Sequence, residues 1–201
     1  MKKKFTLLIV GMALIGAIVA FAVWIKKNSE KTEEPVNEVK EVIESVEVET
    51  ADEEEEFHFA PANVVCSLPE GFIETETGGE YLHETYPADV SSINQVIQES
   101  EADSTLMTAE EFETTIENEY KSAYGDDVDI NISQFDKIVV DKRPGLWIMY
   151  DFIFRGDEYR ALMVILYNGT ESNYITYLQG PGSDWMDAFV ASAKSIKFVD
   201  L

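Results

Sequence analysis

The sequence predicts an α+β fold: a largely antiparallel sheet sandwiched between helices, preceded by a single N-terminal transmembrane helix. Three observations predict it. Two successive strand-length runs, 146–155 and 158–167, are apolar on both faces, the mark of central strands covered on each side. Turn residues separate them from each other and from a third run, "NYITYLQ", so the pairing is antiparallel. Two segments with helical apolar stripes, the first opened by a capping box, supply the covering layers.

The first element is "FTLLIVGMALIGAIVAFAVWI", Phe5 to Ile25, 21 residues without a charge between Lys2–Lys4 and Lys26–Lys27. As a helix it covers about 30 Å, the thickness of the hydrocarbon layer. Twelve of its residues are Leu, Ile, Val or Phe, each of which favours insertion. Ala20 and Ala22 offer a rival reading as a cleaved signal peptide. The apolar run continues past them to Trp24, whose place beside Lys26 and Lys27 suits an interfacial anchor, so a retained anchor is expected. Lysines are balanced across the two ends, and the short Lys-rich leader sets the orientation: N-terminus inside, C-terminal domain extracytoplasmic, in a single-pass protein of the cell membrane. Cys66 lies far beyond any lipid-attachment position.

The chain divides into an anchor at 1–27, an acidic linker at 28–56 and one globular α+β domain at 57–201. Residues 28–56 have 13 acids, two lysines, no aromatic residue and no glycine. Such a segment cannot bury enough surface to offset its ordering entropy and acts as a solvated spacer. Val36, Val39, Ile43 and Val46 form a faint helical stripe, too short to be stable alone. As coil the linker spans about 30 Å.

Charge restricts the partners. The chain has 39 acids against 15 bases, a net charge of −24, of which −18 falls on residues 57–201. Phosphate backbones and anionic lipid headgroups are repelled, so nucleic acid is not an expected partner. With one cysteine, Cys66, no internal disulfide forms.

Within the domain, "NVVCSLPEGFIETE" places a strand on either side of a turn at Pro69–Gly71, and "GGEYLHETY" and "VSSINQVIQE" continue the β pattern. Thr108 with Glu111 forms a capping box, followed by Phe112, Ile116, Tyr120 and Tyr124 on one helical stripe ending at Gly125. "VDINI" and "FDKIVV" are two further strands. The hairpin strands turn through Gly156–Asp157 and Asn168–Gly169. Along 146–155 one face carries Leu146, Ile148, Tyr150, Phe152 and Phe154 and the other Trp147, Met149 and Ile153. A second helix, "DWMDAFVASAKSI", and a short strand, "KFV", complete the chain.

No catalytic constellation assembles in the sequence. Cys66, His58 and His83 invite a thiol-nucleophile reading, but "VVCS" places Cys66 as a small core side chain. Asp127, Asp129 and Asn131 open an EF-hand register, yet Ile132 and Ile138 stand where a calcium loop needs a flexible residue and a bidentate acid. They are weak metal candidates, better explained as the solvated face of a strand, and neither a metal nor a cofactor is expected. "RGD" at 155–157 and "NGT" at 168–170 are turn chemistry first.

"VCSLPEGF", the "MTAEEF" helix, "VVDKRPGLWIMYDF" and the terminal Trp185, Phe189 and "AKSIKF" together resemble the PsbP-like superfamily over residues 62–199. That group includes a photosystem extrinsic subunit, a Ran-GTPase release factor and bacterial DcrB-like envelope proteins. The resemblance implies an exported domain without a mapped functional residue. The function expected is a membrane-anchored extracytoplasmic binding or adaptor domain of the bacterial cell envelope, not an enzyme, with a protein or envelope partner. The alternatives are a carboxylate-dependent hydrolase of envelope material and a structural subunit of a membrane complex, the latter working through Ala13/Ala17 or Gly16/Ala20 on the anchor helix.

Overall fold

Among the described residues, short runs of β-branched and aromatic residues between turn residues build ten strands. In chain order these are β1 (Glu56–His58), β2 (Val64–Ser67), β3 (Phe72–Glu74), β4 (Glu80–His83), β5 (Ser92–Glu99), β6 (Val128–Val140), β7 (Arg143–Phe154), β8 (Asp157–Tyr167), β9 (Glu171–Gln179) and β10 (Lys197–Phe198). Helix α1 (Ala109–Tyr124) and helix α2 (Met186–Lys194) join them, with a 3-10 turn at Ser104–Leu106. The computed structural model describes residues 56–58, 64–76, 78–99, 102–126 and 128–198. The expected transmembrane helix, and the linker up to residue 55, lie outside the described residues. Among those described, no helix is long and apolar enough to cross a membrane.

Seven strands form one antiparallel sheet in the order β3-β4-β5-β9-β8-β7-β6, and the remaining three form a small sheet in the order β1-β2-β10. The α+β class, the antiparallel sheet and the two helices are borne out. The hairpins close as their chemistry requires. Asp141 and Lys142 have φ of 48° and 66°, and Arg155 and Gly156 have 55° and 84°, so each two-residue tip has the positive φ pair that matches strand twist. The second tip falls one residue earlier than expected, because Asp157 already pairs with Phe154. "VDINI" and "FDKIVV" are one 13-residue strand rather than two. A register shift between Ile132 and Gln134 absorbs Ser133 and breaks the alternation that separates them in the sequence.

Helix α1 begins at the expected capping box: the Thr108 side chain accepts from Glu111 N, and the Glu111 carboxylate accepts from Thr108 N at 2.9 Å. Its buried stripe, Phe112, Ile116 and Tyr120, packs on the face made by Leu146, Ile148, Tyr150 and Phe152. Aromatic edges lock this layer: Tyr120 meets Phe152 with ring centres 4.8 Å apart.

The opposite face corrects the expected sandwich. Its cover is α2 together with the three-stranded sheet, over Trp147, Leu162, Val164, Ile175 and Tyr177. Strands β2 and β10 meet although their sequences are far apart, with Lys197 opposite Val65. This layer covers only part of the face. Ile153, which the two-sided apolar pattern puts under cover, is 46% exposed.

Candidate functional site

Two places on the partly covered face carry polar chemistry. The first lies where β3, β4 and α2 converge. His83, on β4, packs edge-on to Phe72 with ring centres 5.5 Å apart and lies 4.9 Å from the Trp185 ring. Its Nδ1 is 2.8 Å from Thr85 Oγ1 and 3.9 Å from Asp89 Oδ2. Trp185 Nε1 donates to the same Asp89 oxygen at 2.8 Å, and Ser91 N donates to the other at 2.8 Å. Burial alone would raise the Asp89 carboxyl, but the hydrogen bonds from Ser91 and Trp185 outweigh it and hold the group below the usual carboxylate range. Gly71 lies against the imidazole: a Cβ there would stand 3.2 Å from His83 Nε2, and its φ of +86° suits glycine. The arrangement ties the 84–91 loop to the start of α2.

The thiol candidate does not join this cluster. Cys66, on β2, is 2% exposed, and burial pushes its thiol up despite hydrogen bonds from Tyr177 and Ser192. The Tyr177 and Ser192 hydroxyls lie 3.8 and 3.9 Å from Sγ and 3.1 Å from each other. That is a core polar contact, and a poor environment for a thiolate. His58 falls on β1.

The second place is the open half of the sheet, on β6, β7 and β8 beyond the reach of α2. Cross-strand pairing lays out its rows. Asp129, Ile153 and Glu158 lie side by side, and the next row is Asn131, Asp151, Arg160 and Gln179. Arg160 Nε donates to Asp151 Oδ1 at 2.7 Å. The guanidinium is held above its ordinary value first by that hydrogen bond and charge, with Glu158 and Asp184 adding to it. At the border, Gln179 Oε1 accepts from Trp185 N at 2.9 Å and Met186 N at 2.8 Å, capping α2.

Of the weak metal candidates, Asp129 and Asn131 are exposed on β6 in adjacent rows of this face, while Asp127 lies outside the described residues. No group of three or more His, Cys, Asp or Glu side chains among the described residues is placed to hold a metal ion. A two-carboxylate hydrolase needs acids of separated pKa in one cleft. The two strongest acid perturbations are Glu119, pushed up to about 8 by burial, and Asp89, held low; they lie on α1 and in the 84–91 loop, on opposite sides of the sheet.

Sequence reasoning named Asp129 and Asn131 on a solvated strand face, where they lie, and His83 as a lone imidazole, but missed the grouping at each place. The signal for the open part was present: Asp151, Glu158 and Arg160 interrupt the apolar face of two strands whose pattern otherwise predicts cover. The His83–Asp89–Trp185 cluster left no such signal, because Trp185 lies 96 positions from Asp89 and still further from His83.

No family model and no curated protein matches the chain. Solved structures do. Cyanobacterial PsbP (CyanoP) from Synechocystis sp. PCC 6803 superposes with a TM-score of 0.57 at 12% identity, covering 72% of this chain and 91% of that one. The fold is PsbP-like. LpqN, described as involved in cell envelope biogenesis of Mycobacterium tuberculosis, gives a TM-score of 0.48 at 9% identity over 72% of this chain and 90% of its own. A Bacteroides thetaiotaomicron structure gives 0.39 at 12% identity over 71% and 48%. At these identities what is shared with PsbP is the arrangement of sheet and helices.

Proposed function

We propose that this chain is a non-enzymatic binding domain of the bacterial cell envelope, tethered to the membrane by residues 1–27, spaced from it by residues 28–56 and engaging a partner outside the cytoplasm through residues 57–201. One observation carries the binding reading: an antiparallel sheet, buried on its first face, leaves the Asp129–Ile153–Glu158 end of β6–β8 on its second face in water. A solvated face is ordinary for an antiparallel sheet, but this one holds an apolar side chain, Ile153, out among polar ones, the layout of a contact surface.

The tether supports the location. The 21-residue apolar run, flanked by lysines, inserts favourably, and the acidic linker keeps the domain away from headgroups of its own charge sign. Two experiments on the native protein test this. Membranes washed at alkaline pH retain the full-length chain, and protease added to intact protoplasts removes the domain. Recovery of a mature form from the medium, beginning near Val23, overturns the tether. Protection of the domain in intact protoplasts overturns the orientation.

A further inference from the structure

Resting on the reading of a partner-binding domain, we propose that the open half-face is a docking surface for a short cationic protein segment carrying an apolar residue, with Ile153 as its contact point. Interfaces place an apolar centre inside a polar rim, and this face has that layout. Ile153, 46% exposed, stands between Asp129 on β6 and Glu158 on β8, each directly opposite it across a strand pair. Half-buried Met149 lies four positions along the same strand on the same face, with Asp151 between them, so an extended segment lying along β7 finds a second apolar contact beyond Ile153. Asp151 and Asp184 add negative charge around Arg160, the one base in the patch.

Charge decides the occupant. Three carboxylates (Asp151, Glu158 and Asp184) surround one guanidinium, already bonded to Asp151, and Asp129, which also feels Lys121 of α1, stands in the neighbouring row, on a domain of net charge −18. The chain's own linker, at −11, is repelled from it, as are phosphate-bearing ligands. A second copy docking face to face would set Asp129 and Glu158 against like charges. A cationic segment is complementary, and alternate residues of an extended chain repeat at roughly 7 Å, close to the spacing of rows on the sheet. Its lysines or arginines meet the rim while its apolar side chain covers Ile153. Rim charges of this kind act mainly on encounter, so binding weakens steeply with salt.

The test uses the full chain in nanodiscs of zwitterionic lipid, with a photo-crosslinkable decapeptide of alternating lysine and leucine as probe. The expected result is cross-links on β6, β7 and β8 around Ile153, reduced at least fivefold by Ile153→Lys. Ile73→Lys is the control, because Ile73 is 59% exposed on β3 at the other end of the sheet order, and it leaves those cross-links unchanged. The exposed acids of α1, Glu110, Glu111 and Glu113, are the internal standard for unspecific charge. Cross-links confined to α1 and the linker, or unchanged by Ile153→Lys, overturn the docking surface. The tethered binding domain would survive that result, because the membrane and protease experiments decide it separately.

Discussion

Trp185 Nε1 and Asp89 Oδ2 meet at 2.8 Å across 96 positions of sequence, fixing the first residue before α2 to the loop that follows β4. Ser91 N holds the other carboxylate oxygen, so Asp89→Ala strands an indole and a backbone donor together and should lower stability by about 2 to 3 kcal/mol. The pH dependence has a definite sign. A carboxyl held below its unfolded value contributes fully above that value, and the contribution disappears as pH falls through the folded one. Urea unfolding of the native chain should therefore weaken below about pH 4. Asp89→Asn should show a flatter acid limb, and an unchanged limb would remove Asp89 from this role.

Glu119 works in the opposite direction. Both its carboxylate oxygens are shielded and have no hydrogen-bond partner among the described residues, and burial pushes the group up to about 8. Stability tied to this proton is greatest below the unfolded value near 4.5 and is lost as pH rises through about 8. Glu119→Gln should remove that loss and, allowing for the residue's partial exposure, gain about 1 to 2 kcal/mol at pH 9. Parallel pH profiles of the urea midpoint for the two proteins would count against it.

Thr176 sits opposite Asn94 in the β5–β9 pair, fully buried, and its hydroxyl has no partner among the described residues. Thr176→Val keeps the shape and removes a desolvated polar group, so it should stabilise by about 1 kcal/mol. Thermal and urea unfolding measure this directly. A destabilised variant would mean that an internal water bridges Thr176 and Asn94.

Local signals were legible in the sequence, and long-range ones were not. The Thr108–Glu111 box and the Phe112–Ile116–Tyr120 stripe define α1 from adjacent residues alone. The two-faced apolar pattern of β7 and β8 likewise identified two interior strands of the sheet. Nothing local says that Val65 lies between His58 and Lys197, because strand pairing between distant segments leaves no periodic trace. A small sheet therefore stands where helices alone were expected. The bulge at Ser133 hid for a related reason: one extra residue reverses the alternation, so a continuous strand resembles two. The open half-face lies between these cases. The polar residues at 151, 158 and 160 were visible, but the reach of α2 that leaves them in solvent depends on tertiary packing.

Cys66 offers a probe of that packing. Its sulfur is buried at 2% exposure between Tyr177 and Ser192, and burial pushes the thiol up, so both access and thiolate formation oppose reaction. A thiol reagent at pH 8 should modify the native chain roughly a thousandfold or more slower than the urea-unfolded chain, because reaction requires opening of the β2 layer. Asp89→Ala should speed native labelling, by as much as its loss of stability allows if the β2 layer opens with the global unfolding event. The Ile153→Lys variant, altered at a solvent-exposed position, should label at the native rate. Fast labelling of the native chain would mean that the three-stranded sheet opens independently, and the second face would then be a mobile cover over β8 and β9.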